Sequence, residues 1–162
     1  MTESPSQGFL DALVKLAPAP GISYAGVAAV ESLPVGTATT AAIMPTSLDP
    51  RVATENFTVT DLVAVVGRSG RDITAFSARP QDEEVVLLPG TLLRPALRLE
   101  VEDLTVHVLE ELSLVADAPA PESWPVGLDQ LEQAVRSAVT TARASAPVEV
   151  GAPGKFTRGV PV

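Results

Sequence analysis

The 162-residue chain has no cysteine and a single histidine, and these two absences remove whole classes of chemistry. Without thiols there is no disulfide framework, no thiolate metal site and no cysteine nucleophile. His107 alone cannot assemble a metal set, so no metal is expected; it alternates with Val106 and Val108 and is expected as an exposed strand residue. Serines are plentiful, but none sits in a Gly-x-Ser-x-Gly elbow, which argues against hydrolase catalysis. Cations are scarce, with 11 Lys and Arg against 20 Asp and Glu and a net charge of −9. Such a chain repels phosphate backbones, so no nucleic-acid partner is expected. Long apolar runs are missing too. Each is broken by Pro, Gly, Thr or charge before the roughly 18 residues a membrane span needs. The opening residues have neither the basic start nor the apolar stretch of a secretory signal. The cytoplasm is the default location, with specialised secretion as the exception that needs no such signal.

What is present suffices for a packed interior: 46% of residues are hydrophobic and 19% charged, too apolar a mixture for a disordered chain. Phe9, Leu10, Leu13, Val14 and Leu16 recur at helical spacing until Pro18 and Pro20 stop the pattern, predicting a short amphipathic helix. Ile22 to Val30 and Thr37 to Met44 read as strands, the second ending before Pro45. Ser47 or Asp49 can cap a short helix that starts with Pro50 and runs to about Asn56. Leu62 to Val66, a turn at Gly67-Arg-Ser-Gly70, and Ile73 to Phe76 read as strand, turn, strand. Val85 to Leu88 is another strand, and Leu97 to Val101 with Thr105 to Leu112 suits a hairpin around Glu102-Asp103. Leu128, Leu131, Val135, Ala138, Val139 and Ala142 recur at steps of three and four, predicting one long helix. The expected organisation is a domain over 1–116 and a Pro-rich linker over 117–126, anchored by Trp124. A helix over 127–145 packed on the domain or on a partner and an irregular tail over 146–162 follow.

Three segments carry the functional signal. The first is Gly21-Ile-Ser-Tyr-Ala-Gly-Val27. The second is Ile43-Met-Pro-Thr-Ser-Leu-Asp-Pro-Arg-Val-Ala53. The third runs from Gly67 through Asp82-Glu83-Glu84 to Gly90-Thr91. Side chains two apart on an extended strand point the same way, so Asp82 and Glu84 would face one cleft and could divide two tasks. Taken alone, an Asp-Glu-Glu run is more often a solvated turn.

Together, residues 22–112 resemble the catalytic core of the mono-ADP-ribosyltransferases of the Arg-Ser-Glu class. The resemblance implies an α+β fold of two packed, mostly antiparallel sheets with a cleft for NAD, here with a short N-terminal helix and one C-terminal helix. It gives Glu84 the place of the catalytic glutamate, which stabilises the positive charge growing on the ribose as nicotinamide leaves, and Asp82 the place of the residue that positions the acceptor. Thr46 and Ser47 match the last two positions of the Ser-Thr-Ser motif, and Tyr24 stands in the first strand of the cofactor site. NAD is then the co-substrate if the protein is active, and there is no cofactor otherwise.

Three departures accompany the resemblance. Tyr24-Ala25-Gly26 stands where the family reads Tyr-Arg-Gly, and a methyl group replaces the planar charged fork that reaches the NAD phosphates. Pro45 stands where a serine orients the glutamate. Only about twenty residues precede Tyr24, against several helices in the family. Arg51, Arg68, Arg71 and Arg79 border the cleft by resemblance and are the available substitutes. The resulting expectation is a degenerate ADP-ribosyltransferase-like domain with a binding or scaffolding role and a protein partner. An active NAD-dependent transferase modifying a protein side chain is the alternative.

Overall fold

The computed structural model describes residues 7–30, 33–113 and 127–162; the Pro-rich stretch 117–126 and Trp124 lie outside the described residues. Helix α1, Gln7–Val14, buries Leu13 and leaves Phe9 and Val14 exposed. The two prolines then deliver the chain into β1, Gly21–Val27, buried on both faces from Ser23 onward. β2 is Ala38–Thr39 and β3 is Met44–Ser47. The single strand expected before Pro45 is thus two short ones, and Pro45 lies inside β3. A proline lacks the amide a ladder needs, but β3 meets β1 only where Tyr24 faces Ser47, so on one side Pro45 has no ladder to supply.

Helix α2, Pro50–Ala53, is capped by Asp49, which accepts from the Arg51 amide, with Pro50 at its first turn. Three successive residues after it, Glu55, Asn56 and Phe57, have φ of 51, 59 and 62°. This left-handed turn is costly for residues with side chains and persists only where the surroundings impose it. β4, Asp61–Gly67, is an unbroken apolar run because both of its faces are covered. β5 is only Arg71–Asp72; the strand expected over 73–76 is instead a 3₁₀ turn at Thr74–Phe76, its Thr74 amide tied to the Asp72 carboxylate. β6, Glu84–Leu87, β7, Leu92–Val101, and β8, Leu104–Glu111, follow, the last two forming the expected hairpin with Glu102 in the left-handed region. α3 covers Leu128–Ala144.

The eight strands form one hydrogen-bonded series, β2-β7-β8-β4-β1-β3-β6-β5, antiparallel apart from the parallel β4–β8 pair. The strands thus form one sheet rather than two separate ones, made of two ladders, β2-β7-β8-β4-β1 and β3-β6-β5, linked through the pair Tyr24–Ser47. Alternation along the strands divides the interior in two. Tyr24, Leu62, Ala64, Val66, Val106 and Val108 face a cluster closed by Leu131, Val135 and Val139 of α3. Ala25, Val27, Met44, Val63, Val65, Leu87 and Leu109 face a second cluster. In α3, Leu128 remains exposed.

Residues 146–162 are irregular, as expected from their Gly and Pro content, but they are packed. Phe156 and Val160 are buried, and Val160 belongs to the second cluster. His107 differs from expectation. It is half-buried, with Nε2 2.9 Å from Asp61 Oδ1, because β8 lies inside the sheet between β7 and β4.

Candidate active site around Glu84

Two cross-strand pairs, Tyr24 opposite Ser47 and Ser47 opposite Glu84, align three of the candidate residues in one row. Directly opposed residues share a face, so this row lies on the face of the sheet that carries α3. Ser47 sits at its centre, fully buried. Its hydroxyl donates to the Asp82 carbonyl at 2.6 Å and accepts from the Asp49 amide at 3.0 Å, so it ties β3 both to the turn before β6 and to the start of α2. Thr46 points to the opposite face. Its Oγ1 donates to the Val85 carbonyl at 2.5 Å and lies 2.8 Å from Ser23 Oγ.

Asp82 is not on a strand with Glu84. It ends a 3₁₀ turn, Pro80–Asp82, and Glu83 follows in the left-handed region at φ 45°. Pro80 fixes the tight turn, the chain reverses at Glu83, and β6 begins only at Glu84. Both carboxylates are nonetheless buried, at 3% and 4% exposure, and each has its own cation. Arg79 Nε lies 3.3 Å from Asp82 Oδ2. Lys155 Nζ lies 2.5 Å from Glu84 Oε2.

Lys155 lies in the segment that the sequence marks only as an irregular tail. That segment reaches the site through a series of fixed contacts. Arg51 donates to the Ala146 carbonyl, Asn56 pairs with Val148, Arg79 reaches Glu149, and the Gly154 amide meets the Glu55 carboxylate at 2.5 Å. Beyond Lys155, the Gly26 and Ala28 amides of the β1 edge donate to Phe156 and Thr157 at 2.8 and 3.1 Å. Glycine is needed at position 26 because a Cβ there would collide with the Ala53 carbonyl and crowd Thr157. The signal available in the sequence was Phe156 and Val160, two large apolar residues among glycines and prolines.

The four candidate arginines divide differently. Arg51 is held by Asp49 through its Nε and Nη2, and this hydrogen bond pushes its pKa above the usual range. Arg79 serves Asp82. Arg71 donates to the Leu13 and Ser69 carbonyls, and Arg68 lines a separate cavity with Ser69 and Glu111. Ala25 packs into the second cluster with Val63 and Val65, so it lies on the opposite face of β1 from Tyr24 and from the Glu84 row. A side chain lengthened at position 25 enters that second cluster first.

The space beside Asp82 is nearly filled. Val52, Glu55, Asp82, Glu149, Gly151 and Phe156 enclose only about 10 Å³. A larger cavity of about 210 Å³ is reached from the Ser23 and Val85 face, past Pro20 and Asp72.

No family model and no curated protein matches the chain. Among solved structures, Exoenzyme S from Pseudomonas aeruginosa, in a complex with human 14-3-3 protein beta and carba-NAD, aligns at 26% identity and a TM-score of 0.54, over 72% of this chain and 62% of that one. The architecture is that of the ADP-ribosyltransferases. The ADP-ribosyltransferase Vis in complex with an inhibitor aligns at 23% identity and a TM-score of 0.53, over 65% and 54% of the two chains. The ADP-ribosyltransferase HopU1 of Pseudomonas syringae pv. tomato DC3000 aligns at 18% and 0.54, over 63% and 49%. The chain therefore spans about half to three-fifths of the length of these ADP-ribosyltransferases. Within their fold, β1, β3 and β6 are the strands that bring Tyr24, Ser47 and Glu84 together.

Proposed function

We propose that this chain is a degenerate ADP-ribosyltransferase-like domain that binds or scaffolds a protein partner and turns NAD over weakly or not at all. The observation that carries the reading is the state of Glu84: buried, and joined to Lys155 at 2.5 Å. A carboxylate that is to stabilise positive charge on a ribose must present its own charge to the substrate. Here an ammonium group of the same chain already holds it. A further observation supports the reading: Pro45 offers neither hydroxyl nor amide to orient Glu84.

In this reading Glu84 and Asp82 stand at the catalytic positions, and Tyr24, Thr46 and Ser47 stand at the cofactor positions as a surviving frame. NAD is the co-substrate only if the frame remains active. Among the described residues no helix is long and apolar enough to cross a membrane.

The test is turnover by the purified protein. NAD hydrolysis and transfer to protein acceptors are expected at background level, the same for wild type and for Glu84→Gln. Clear turnover that Glu84→Gln abolishes would establish the active transferase instead.

A further inference from the structure

We propose that Lys155-Phe156-Thr157 is a built-in ligand of the Glu84 site, which occupies the split between β1 and β3 and excludes an external dinucleotide. This rests on the reading of the Glu84 row as the remnant of a nucleotide site.

The split is set by the sheet. β1 and β3 are paired at Tyr24 and Ser47 alone, so beyond Tyr24 the β1 edge has amides with no β3 partner. Unpaired amides at a strand edge are a template for another extended chain. Residues 156–158 answer as such a chain. Gly26 and Ala28 donate to Phe156 and Thr157, Val27 forms an antiparallel bridge with Arg158, and Ala41, just before β3, donates to Pro161. The segment thus bonds to β1 on one side of the split and to the approach to β3 on the other.

The side chains complete the occupation. A buried carboxylate requires a charged or hydrogen-bonding partner, and for Glu84 that partner is Lys155. Nζ of the same lysine lies 5.2 Å from the centroid of the Phe156 ring, and Phe156 and Thr157 are buried. Upstream, Gly151 lies so close to the Arg79 guanidinium that a Cβ would overlap it, which seals the segment onto the Asp82 side. Beside Asp82 only about 10 Å³ remains, at the threshold for a single water. Glu84 itself is 4% exposed, with Lys155 Nζ on its Oε2, so an external ligand of Glu84 must displace the lysine.

The experiment compares wild type with Lys155→Ala and Lys155→Arg. The readouts are NAD affinity by calorimetry and labelling of Glu84 by a water-soluble carbodiimide with an amine, read by mass spectrometry. Folding is checked by circular dichroism. Expected are an unlabelled Glu84 in wild type and Lys155→Arg, and in Lys155→Ala a labelled Glu84 with NAD affinity raised about tenfold or more. Unchanged affinity in folded Lys155→Ala overturns the proposal, and so does a loss of affinity, which makes Lys155 an anchor for NAD. Should Lys155→Ala not fold, labelling of Glu84 in folded wild type overturns it equally. Turnover of NAD by wild type bears on the reading of the site as degenerate, whereas affinity and labelling bear on the lysine.

Discussion

The side-chain amide of Asn56 and the backbone of Val148 hold each other reciprocally: Nδ2 donates to the Val148 carbonyl and the Val148 amide donates to Oδ1, each at 2.8 Å. The left-handed turn at Glu55, Asn56 and Phe57 puts that amide in reach of the segment after α3. Asn56→Ala removes both bonds and leaves an alanine at φ 59°, a region asparagine tolerates better. The expected loss is about 1–3 kcal/mol, read from the midpoint of urea unfolding. Asn56→Gly relieves the backbone but not the lost bonds, and is expected to fall between the two. An Asn56→Ala midpoint equal to wild type would mean that the pairing with Val148 contributes nothing.

Gly26→Ala places a methyl group against the Ala53 carbonyl and the Thr157 side chain. The carbonyl belongs to α2 and cannot rotate away, so overpacking of about 1–3 kcal/mol is expected. Thermal melting measures it. A substitution that leaves the melting temperature unchanged would show that α2 moves freely relative to β1.

Burial pushes the Tyr24 phenol up from 10.0 to about 12. The unfolded chain then ionises first: between pH 10 and 12 it has released a proton that the folded chain keeps. The stability that depends on neutral Tyr24 is complete below pH 10 and falls as pH rises toward 12, by about 3 kcal/mol over the interval. Tyr24→Phe has no such proton. Subtracting its stability curve from that of wild type across pH 9–12 isolates the effect, and a flat difference would contradict it.

Val135 is fully buried between α3 and the sheet, in the cluster of Tyr24, Leu62 and Val106. Val135→Ala is expected to cost about 1.5–3 kcal/mol in the isolated protein. A helix that packed only on a partner would show a change below about 0.5 kcal/mol, typical of surface substitutions.

Periodicity made α1, α3, β4 and the β7–β8 hairpin legible, because each depends on residues close in sequence. The row Tyr24, Ser47 and Glu84 was legible through motif resemblance. Other features were hidden because they depend on distant segments. Proline normally ends a strand, yet Pro45 continues β3 because the neighbour that would have required its amide has parted. Asp82 and Glu84 read as strand neighbours, but Pro80 and the left-handed Glu83 separate them. Ala25 read as a missing arginine in the Glu84 cleft, and only the register puts it on the other face. Lys155 was the least legible of all, since it lies in a segment with no periodic pattern and its partner is 71 positions away.

The pair Tyr24–Ser47 is a seam: two ladders of strands share one rung there. Breathing of such a sheet concentrates where rungs are fewest, so the split beside that rung would be the first place for water to enter. Residues 156–161 are laid along it and act as a stitch. Exchange of the Gly26 and Ala28 amides with deuterated solvent therefore reports how often the stitch comes undone, while the Val63 and Val65 amides, deep in the larger ladder, report the opening of the whole molecule.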